Sequence, residues 1–342
     1  STVIKITYPE ILMKENRLRA EARKRFEIYD RVPTMAWVDP RFTLHQRGFT
    51  FRDFYESPKA HAYHQLMNAK WEAENIPDDR VTGLDPDVPS PGWWIKPYWS
   101  LNIGLIPAAT TLVAGAFGAK QVMGNPLSPP RYLPLIHSPE DVDRLDVPEC
   151  NENLFGKTLE WYYEICRVVK EDFEVYFNGR KVDVKVGLPW PDQFIAAIDL
   201  VGSDFYLWLY KYPDVCVKLL RKITEACIKW SRCVKDLTGE QINVGGDGDC
   251  ATNLSLPLFK KFMVPYMEQL YSLTPNDRPF HNDGRIPHLL ECIIQDLKIT
   301  YFHGIGYQLD PKILREKVEE SGRKIYLTGN VNPFLMRSGT QE

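Results

Sequence analysis

The chain has no Cys-x-x-Cys pair, no long apolar run, no dense block of basic residues and none of the glycine signatures of nucleotide or acyl-serine chemistry. Each absence removes a class of protein. The seven cysteines (150, 166, 216, 227, 233, 250 and 292) lack both zinc-ribbon and redox spacing, and this usage is that of a reduced interior rather than a disulfide scaffold. Neither a charged-then-apolar leader nor a membrane-spanning stretch is found, so a soluble, cytoplasmic protein with no membrane partner is expected. Forty-two basic residues against forty-five acidic ones give a net charge of −3. The short basic run from Arg19 to Arg25 is too small to track a phosphate backbone, so nucleic acid is not expected as a partner. Gly-x-x-x-x-Gly-Lys-Ser/Thr, a strand-borne Gly-x-Gly-x-x-Gly and Gly-x-Ser-x-Gly are all missing, which sets aside nucleotide and acyl-enzyme mechanisms.

What is present is enough to bury a large core: 342 residues, 44% of them hydrophobic. One domain over 1–342 is expected, because α/β barrels commonly exceed 200 residues as a single unit. From residue 182 onward short β-like runs alternate with helical ones, the pattern of a parallel sheet built from βα units. Val182, Val184 and Val186 alternate into Gly187-Leu188-Pro189-Trp190-Pro191. The stretch Pro213–Leu237 carries apolar residues at helical period, opening on proline and closing at Gly239. A strand at Ile242–Val244, a helix at Leu256–Leu273, a short strand at Phe280, a helix at Ile286–Leu297 and a strand at Ile299–Phe302 follow. Asp310-Pro311 then opens a helix that stops at Gly322, and Ile325–Leu327 leads into Gly329-Asn330-Val331-Asn332-Pro333. Residues 1–135 are less regular and read as an aromatic- and proline-rich elaboration with the first strands. Within it Trp93, Trp94, Tyr98 and Trp99 lie among prolines, a composition suited to a long ordered loop over a substrate.

Two polar clusters follow strands: Gly245-Gly246-Asp247-Gly248-Asp249-Cys250 and His281-Asn282-Asp283-Gly284. In a closed parallel barrel the strand C-termini form the active face. That rule selects Trp190 and Asp192, Asp247 and Asp249, His281 and Asp283, His303 and Tyr307, and Asn330 and Asn332. Singly, each has an ordinary explanation, since an Asp at a βα junction is usually an N-cap. Their recurrence across successive strands points instead to a metal or proton-transfer site. Cys250 borders the carboxylates, but an isolated Cys is more often a packing residue.

The ordered series His137-Ser138-Pro139-Glu140-Asp141-Val142, Gly187-Leu188-Pro189, Leu200-Val201-Gly202, Asp247-Gly248-Asp249, Pro265-Tyr266, His281-Asn282-Asp283-Gly284 and Gly329-Asn330-Val331-Asn332-Pro333 resembles the uroporphyrinogen decarboxylase superfamily over residues 137–342. The resemblance implies a (β/α)8 TIM-type barrel. It also implies one of two chemistries, because the superfamily holds zinc-dependent, corrinoid-linked methyltransferases as well as decarboxylases. The decarboxylases carry an N-terminal Arg-Gln-Ala-Gly-Arg-Tyr-type run for propionates, where this chain reads Arg41-Phe42-Thr43-Leu44-His45-Gln46-Arg47. Thiol-alkylating methyltransferases hold zinc through His-x-Cys and a later Cys; here Asp283 stands at the Cys position. His and carboxylate ligands leave zinc harder than thiolates do, which suits activation of an oxygen leaving group.

The reading this favours is an O-demethylating methyltransferase that moves a methyl group from a methoxylated aromatic to cobalt(I) of a corrinoid. His281, Asp283 and Asp247 would be catalytic, and zinc would be held among His281, Asp283, Asp247 and Asp249. Trp93, Trp94, Tyr98, Trp190, His303, Tyr307 and Asn330 would contact substrate. The chain has no Asp-x-His-x-x-Gly motif, so the corrinoid is expected on a separate partner protein, and a homodimer is compatible with the sequence. A C-terminal barrel segment carrying a further ligand is expected beyond Glu342. The alternatives are a decarboxylase that needs no cofactor and a silent barrel that only binds.

Overall fold

The N-terminal strand Thr2–Ile6 alternates exposed and buried residues, Val3 outward and Ile4 and Ile6 inward. Period-two alternation makes one face of a strand apolar. Its parallel partner Phe173–Phe177 does the same with Phe173, Val175 and Phe177. Asn178 and Gly179, both at positive φ, then reverse the chain into the antiparallel strand Arg180–Val182, as Asn-Gly does in tight hairpins. Val182 therefore belongs to this hairpin, whereas Val186 lies in the separate strand Lys185–Gly187, parallel to Ser100–Asn102. The single strand expected through Val182, Val184 and Val186 is thus two.

The computed structural model describes residues 1–342 except 35, 37, 39, 80–99, 103–111, 126–129, 330 and 341–342. The chain divides into two compact units: Ser1–Ala109 with Met123–Arg131 and Lys157–Pro189, and Thr110–Val122 with Tyr132–Gly156 and Trp190–Glu342. In the first, Ile4, Ile6, Val175 and Phe177 pack with Ala62 and Leu66 of the helix Pro58–Asn75 and with Ile165 and Val168 of the helix Asn153–Glu171.

The second unit holds a three-stranded parallel sheet in the order Tyr326–Gly329, Tyr301–Ile305, Pro279–His281. The helix Pro213–Thr238 opens on its proline and ends at Gly239, which is left-handed. Its Trp230 is fully buried and stacks on Phe155, ring centroids 4.6 Å apart. The long helix expected at 256–273 is broken at Met263 into Leu256–Phe262 and Val264–Tyr271, because Pro265 cannot donate into a continuous helix. No strand forms at Ile242–Val244; only Asp247 bridges to the sheet, in parallel with His281. Residues 286–297 form a 3₁₀ turn at Pro287–Leu289 and a π-helical turn at Cys292–Asp296 rather than a regular helix. Asp310 caps the helix Pro311–Glu320 as its sequence predicts, its carboxylate accepting the Lys312 N–H at 2.9 Å. Among the described residues no helix is long and apolar enough to cross a membrane.

Candidate active site

The parallel register sets His281 opposite His303, and the Asp247 bridge brings the 247–250 segment alongside them. Two glycines make this approach possible. Gly246, at φ +74, would place a Cβ 1.8 Å from the Pro279 carbonyl oxygen, and Gly304, at φ +71, would place one 2.6 Å from His281 Cε1. Both positions combine a backbone that L-residues avoid with space that a side chain would fill. The polar segments thus lie close together because side chains are omitted at the crossing points.

His281 and His303 meet through their Nδ1 atoms at 2.7 Å, and His281 Nε2 lies 3.3 Å from Asp249 Oδ1. Burial alone would lower the His281 pKa, but hydrogen bonding to Asp249 and the charges of Asp249, Asp247 and Asp283 outweigh it and hold the imidazole above its ordinary value. His303 is driven the other way, to about 3, by burial and then by the charge of His281. The two imidazoles share one proton between their Nδ1 atoms, and burial together with the charge of His281 disfavours a charged His303. The contact with His303 orients the His281 ring so that Nε2 faces Asp249.

Ligand atoms of Asp249, His281 and Asp283 all lie within 4.8 Å of one another. Asp249 Oδ1 is a buried oxygen that faces His281 Nε2. Asp247 stands outside this trio. It is half-buried, its Oδ1 accepts the Asp249 N–H at 3.2 Å, and burial followed by the charge of Asp249 lifts its pKa to about 6. Cys250, beside it, is pushed up to about 12 by burial and by Asp247, so it is a neutral thiol at physiological pH.

The remaining expected site residues are distributed unevenly. Trp190 is half-buried with its indole against Gly245, so it borders the 245–250 segment. Tyr307 meets Phe334 with its ring, centroids 6.2 Å apart, and its hydroxyl accepts from Gln308. Trp93, Trp94, Tyr98, Trp99 and Asn330 lie outside the described residues.

Asn282 emerges as a structural keystone that the sequence names only as part of a cluster. It is fully buried. Its amide donates to Gly248 O at 2.8 Å and to Thr252 Oγ1 at 3.1 Å, and its carbonyl accepts the Gly284 N–H at 2.8 Å. One side chain therefore pins the segment bearing Asp249 to the turn bearing Asp283. The only signal in the sequence is an amide between a His and an Asp at a strand end. Asp192, which the strand-end rule selected, is buried with one carboxyl oxygen unpartnered.

Comparison with known proteins adds a relationship. The sequence model of the uroporphyrinogen decarboxylase (URO-D) family matches residues 100–342. A uroporphyrinogen decarboxylase of Chloroherpeton thalassium is 27% identical over 224 residues, covering 60% of this chain and 56% of that protein. One from Dictyostelium discoideum is 25% identical over 260 residues, covering 70% and 64%, and one from Danio rerio is 23% identical over 235 residues, covering 62% and 57%. The match thus spans less than two thirds of each relative's own length.

Proposed function

Because this chain belongs to the uroporphyrinogen decarboxylase (URO-D) family, we propose that it is an enzyme that decarboxylates a ring substrate at the carboxylate–imidazole cluster of Asp247, Asp249, His281 and Asp283. The same membership implies a (β/α)8 barrel, to which the parallel strand pairs would belong. Decarboxylation breaks the bond from ring carbon to carboxylate, leaves the electron pair on the ring and requires a proton at that carbon once CO2 departs. Asp247 carries this reading: a carboxyl with a pKa of about 6 is matched to proton delivery near neutrality. His281, held above its ordinary pKa by hydrogen bonding to Asp249 and by the neighbouring carboxylates, is the group of the cluster placed to balance their charge. The cluster is otherwise acidic, so the substrate is one with few carboxylates rather than the uroporphyrinogen for which the relatives are named. The missing N-terminal arginine run agrees with this.

A second reading is favoured by the Asp249–His281–Asp283 trio. Its two carboxylates and one imidazole are a hard donor set suited to a divalent cation such as zinc, and Asp249 Oδ1 faces His281 Nε2 at 3.3 Å, close enough for one ion to take both atoms. A bound cation would supply Lewis acidity toward an ether oxygen. On this reading the chain transfers a methyl group from a methoxylated aromatic to a cobalt(I) corrinoid carried by a separate protein, with His303 orienting His281.

The deciding experiment is elemental analysis of wild type and His281→Ala combined with two activity panels. CO2 release from aromatic or pyrrolic acids that survives chelator treatment and is lost in Asp247→Asn supports decarboxylation. About one zinc per chain, lost in His281→Ala, together with methyl transfer from methoxyarenes to a cobalt(I) corrinoid, would replace it with the second reading. Neither activity with a full substrate panel would leave a binding subunit.

A further inference from the structure

Asp192 follows Trp190-Pro191 and is 7% exposed. Its position is fixed from both ends. Its Oδ1 accepts the Leu112 N–H at 2.7 Å, and its main-chain carbonyl accepts the Cys227 thiol at 3.2 Å. The other carboxyl oxygen, Oδ2, is buried and has no hydrogen-bond partner. Asp192 has no ion pair among the described residues, and the charges that act on it from Asp247 and Asp199 have its own sign. Nor does a cation site explain it, since the described ligand atoms that converge are those of Asp249, His281 and Asp283.

An ionised carboxylate in this setting would be an unpaired buried charge acted on by other carboxylates, which is strongly disfavoured. The group is therefore a neutral acid: burial, opposed by the Leu112 and Val113 N–H groups and reinforced by the charges of Asp247 and Asp199, raises its pKa well above the ordinary carboxylate value. Because Oδ1 is occupied by a backbone donor, the proton resides on Oδ2. The result is a buried O–H with no acceptor among the described residues, which is destabilising until a ligand supplies one.

We propose that Asp192 is a substrate-contacting residue whose Oδ2–H donates a hydrogen bond to a carboxylate oxygen of the substrate. The proposal rests on the decarboxylase reading for the class of ligand, since that reading supplies the carboxylate. An O–H···O⁻ bond is short and charge-assisted, and it binds an anion without adding a cation to an acidic site. A neutral carboxylic acid held as a donor is an established device for oxyanions. It lets a site rich in aspartates hold an acidic substrate through a neutral donor.

Benzoate is the probe for the test, and infrared difference spectra of wild type against Asp192→Asn at pH 8, where Asp247 is ionised, are the first readout. A protonated-carboxyl C=O band present in wild type and absent from the variant is expected, and it should shift to lower frequency as benzoate saturates. Calorimetric benzoate affinity should fall at least about tenfold in Asp192→Leu but less than about threefold in Asp192→Asn, whose amide still donates. No such band, a band that benzoate leaves unmoved, no benzoate binding to wild type, or equal affinity in Asp192→Leu would each overturn the proposal. The spectroscopic arm needs only the near-isosteric Asn variant, so it stands if Asp192→Leu fails to fold. Intact benzoate binding and band shift with no CO2 release from any acid would instead overturn the decarboxylase reading and leave the Asp192 contact in place.

Discussion

Replacing Asn282 with alanine removes hydrogen bonds at 2.8, 3.1 and 2.8 Å from a fully buried position. At about 1 kcal/mol net for each bond, the loss begins near 3 kcal/mol. The partners differ in how well they recover. Gly248 O keeps the Ala251 N–H at 2.9 Å, and Thr252 is exposed, so its hydroxyl turns to water. Only the Gly284 N–H, half-buried, is left without an acceptor. The expected destabilisation is therefore about 2–3 kcal/mol, read as a lower urea midpoint at unchanged slope. The same change should loosen the tether between Asp249 and Asp283, so calorimetric affinity for zinc or manganese should drop about tenfold, as for other residues that orient metal ligands. A stability loss below about 0.5 kcal/mol, or a large loss with cation affinity untouched, would refute the role assigned to Asn282.

Gly304→Ala should cost about 1–3 kcal/mol, because it adds a Cβ 2.6 Å from His281 Cε1 at φ +71. Loss of the His281–His303 hydrogen bond should appear in imidazole nitrogen NMR, and an unchanged spectrum and melting temperature would contradict the close approach. Asp247→Asn should stabilise the chelated protein above pH 6. The folded-state pKa of Asp247 is raised from 3.8 to about 6, so the wild type loses stability as pH rises between those values. The difference of 6 − 3.8 units corresponds to at most about 3 kcal/mol. The advantage of the variant should vanish below about pH 4, and urea titrations at pH 4 and pH 8 that show equal differences would rule the shift out.

The elements legible in the sequence were those whose signals are local. Proline at the start and glycine at the end bounded the helix Pro213–Thr238, Asp310 announced a helix, and the apolar run at Phe280 announced a strand. The failures share a cause. Ile242–Val244 has strand composition but only a single bridge, at Asp247, joins that segment to the sheet, and strand formation depends on pairing that local composition does not encode. The Val182–Val186 alternation was divided by the Asn178-Gly179 hairpin, whose consequence for register is tertiary.

By itself the sequence determined the family, the parallel α/β character of the C-terminal half and the polar character of its strand ends, because motif order, helix caps and residue period are written along the chain. Only the tertiary structure decided which groups meet. It joined His281 to His303, grouped Asp249 and Asp283 with His281 while setting Asp247 apart, directed Tyr307 toward Phe334, and buried Asn282 and Asp192. Those outcomes depend on strand register, on glycines that allow the segments to cross and on desolvation, which are properties of distance between residues far apart in sequence.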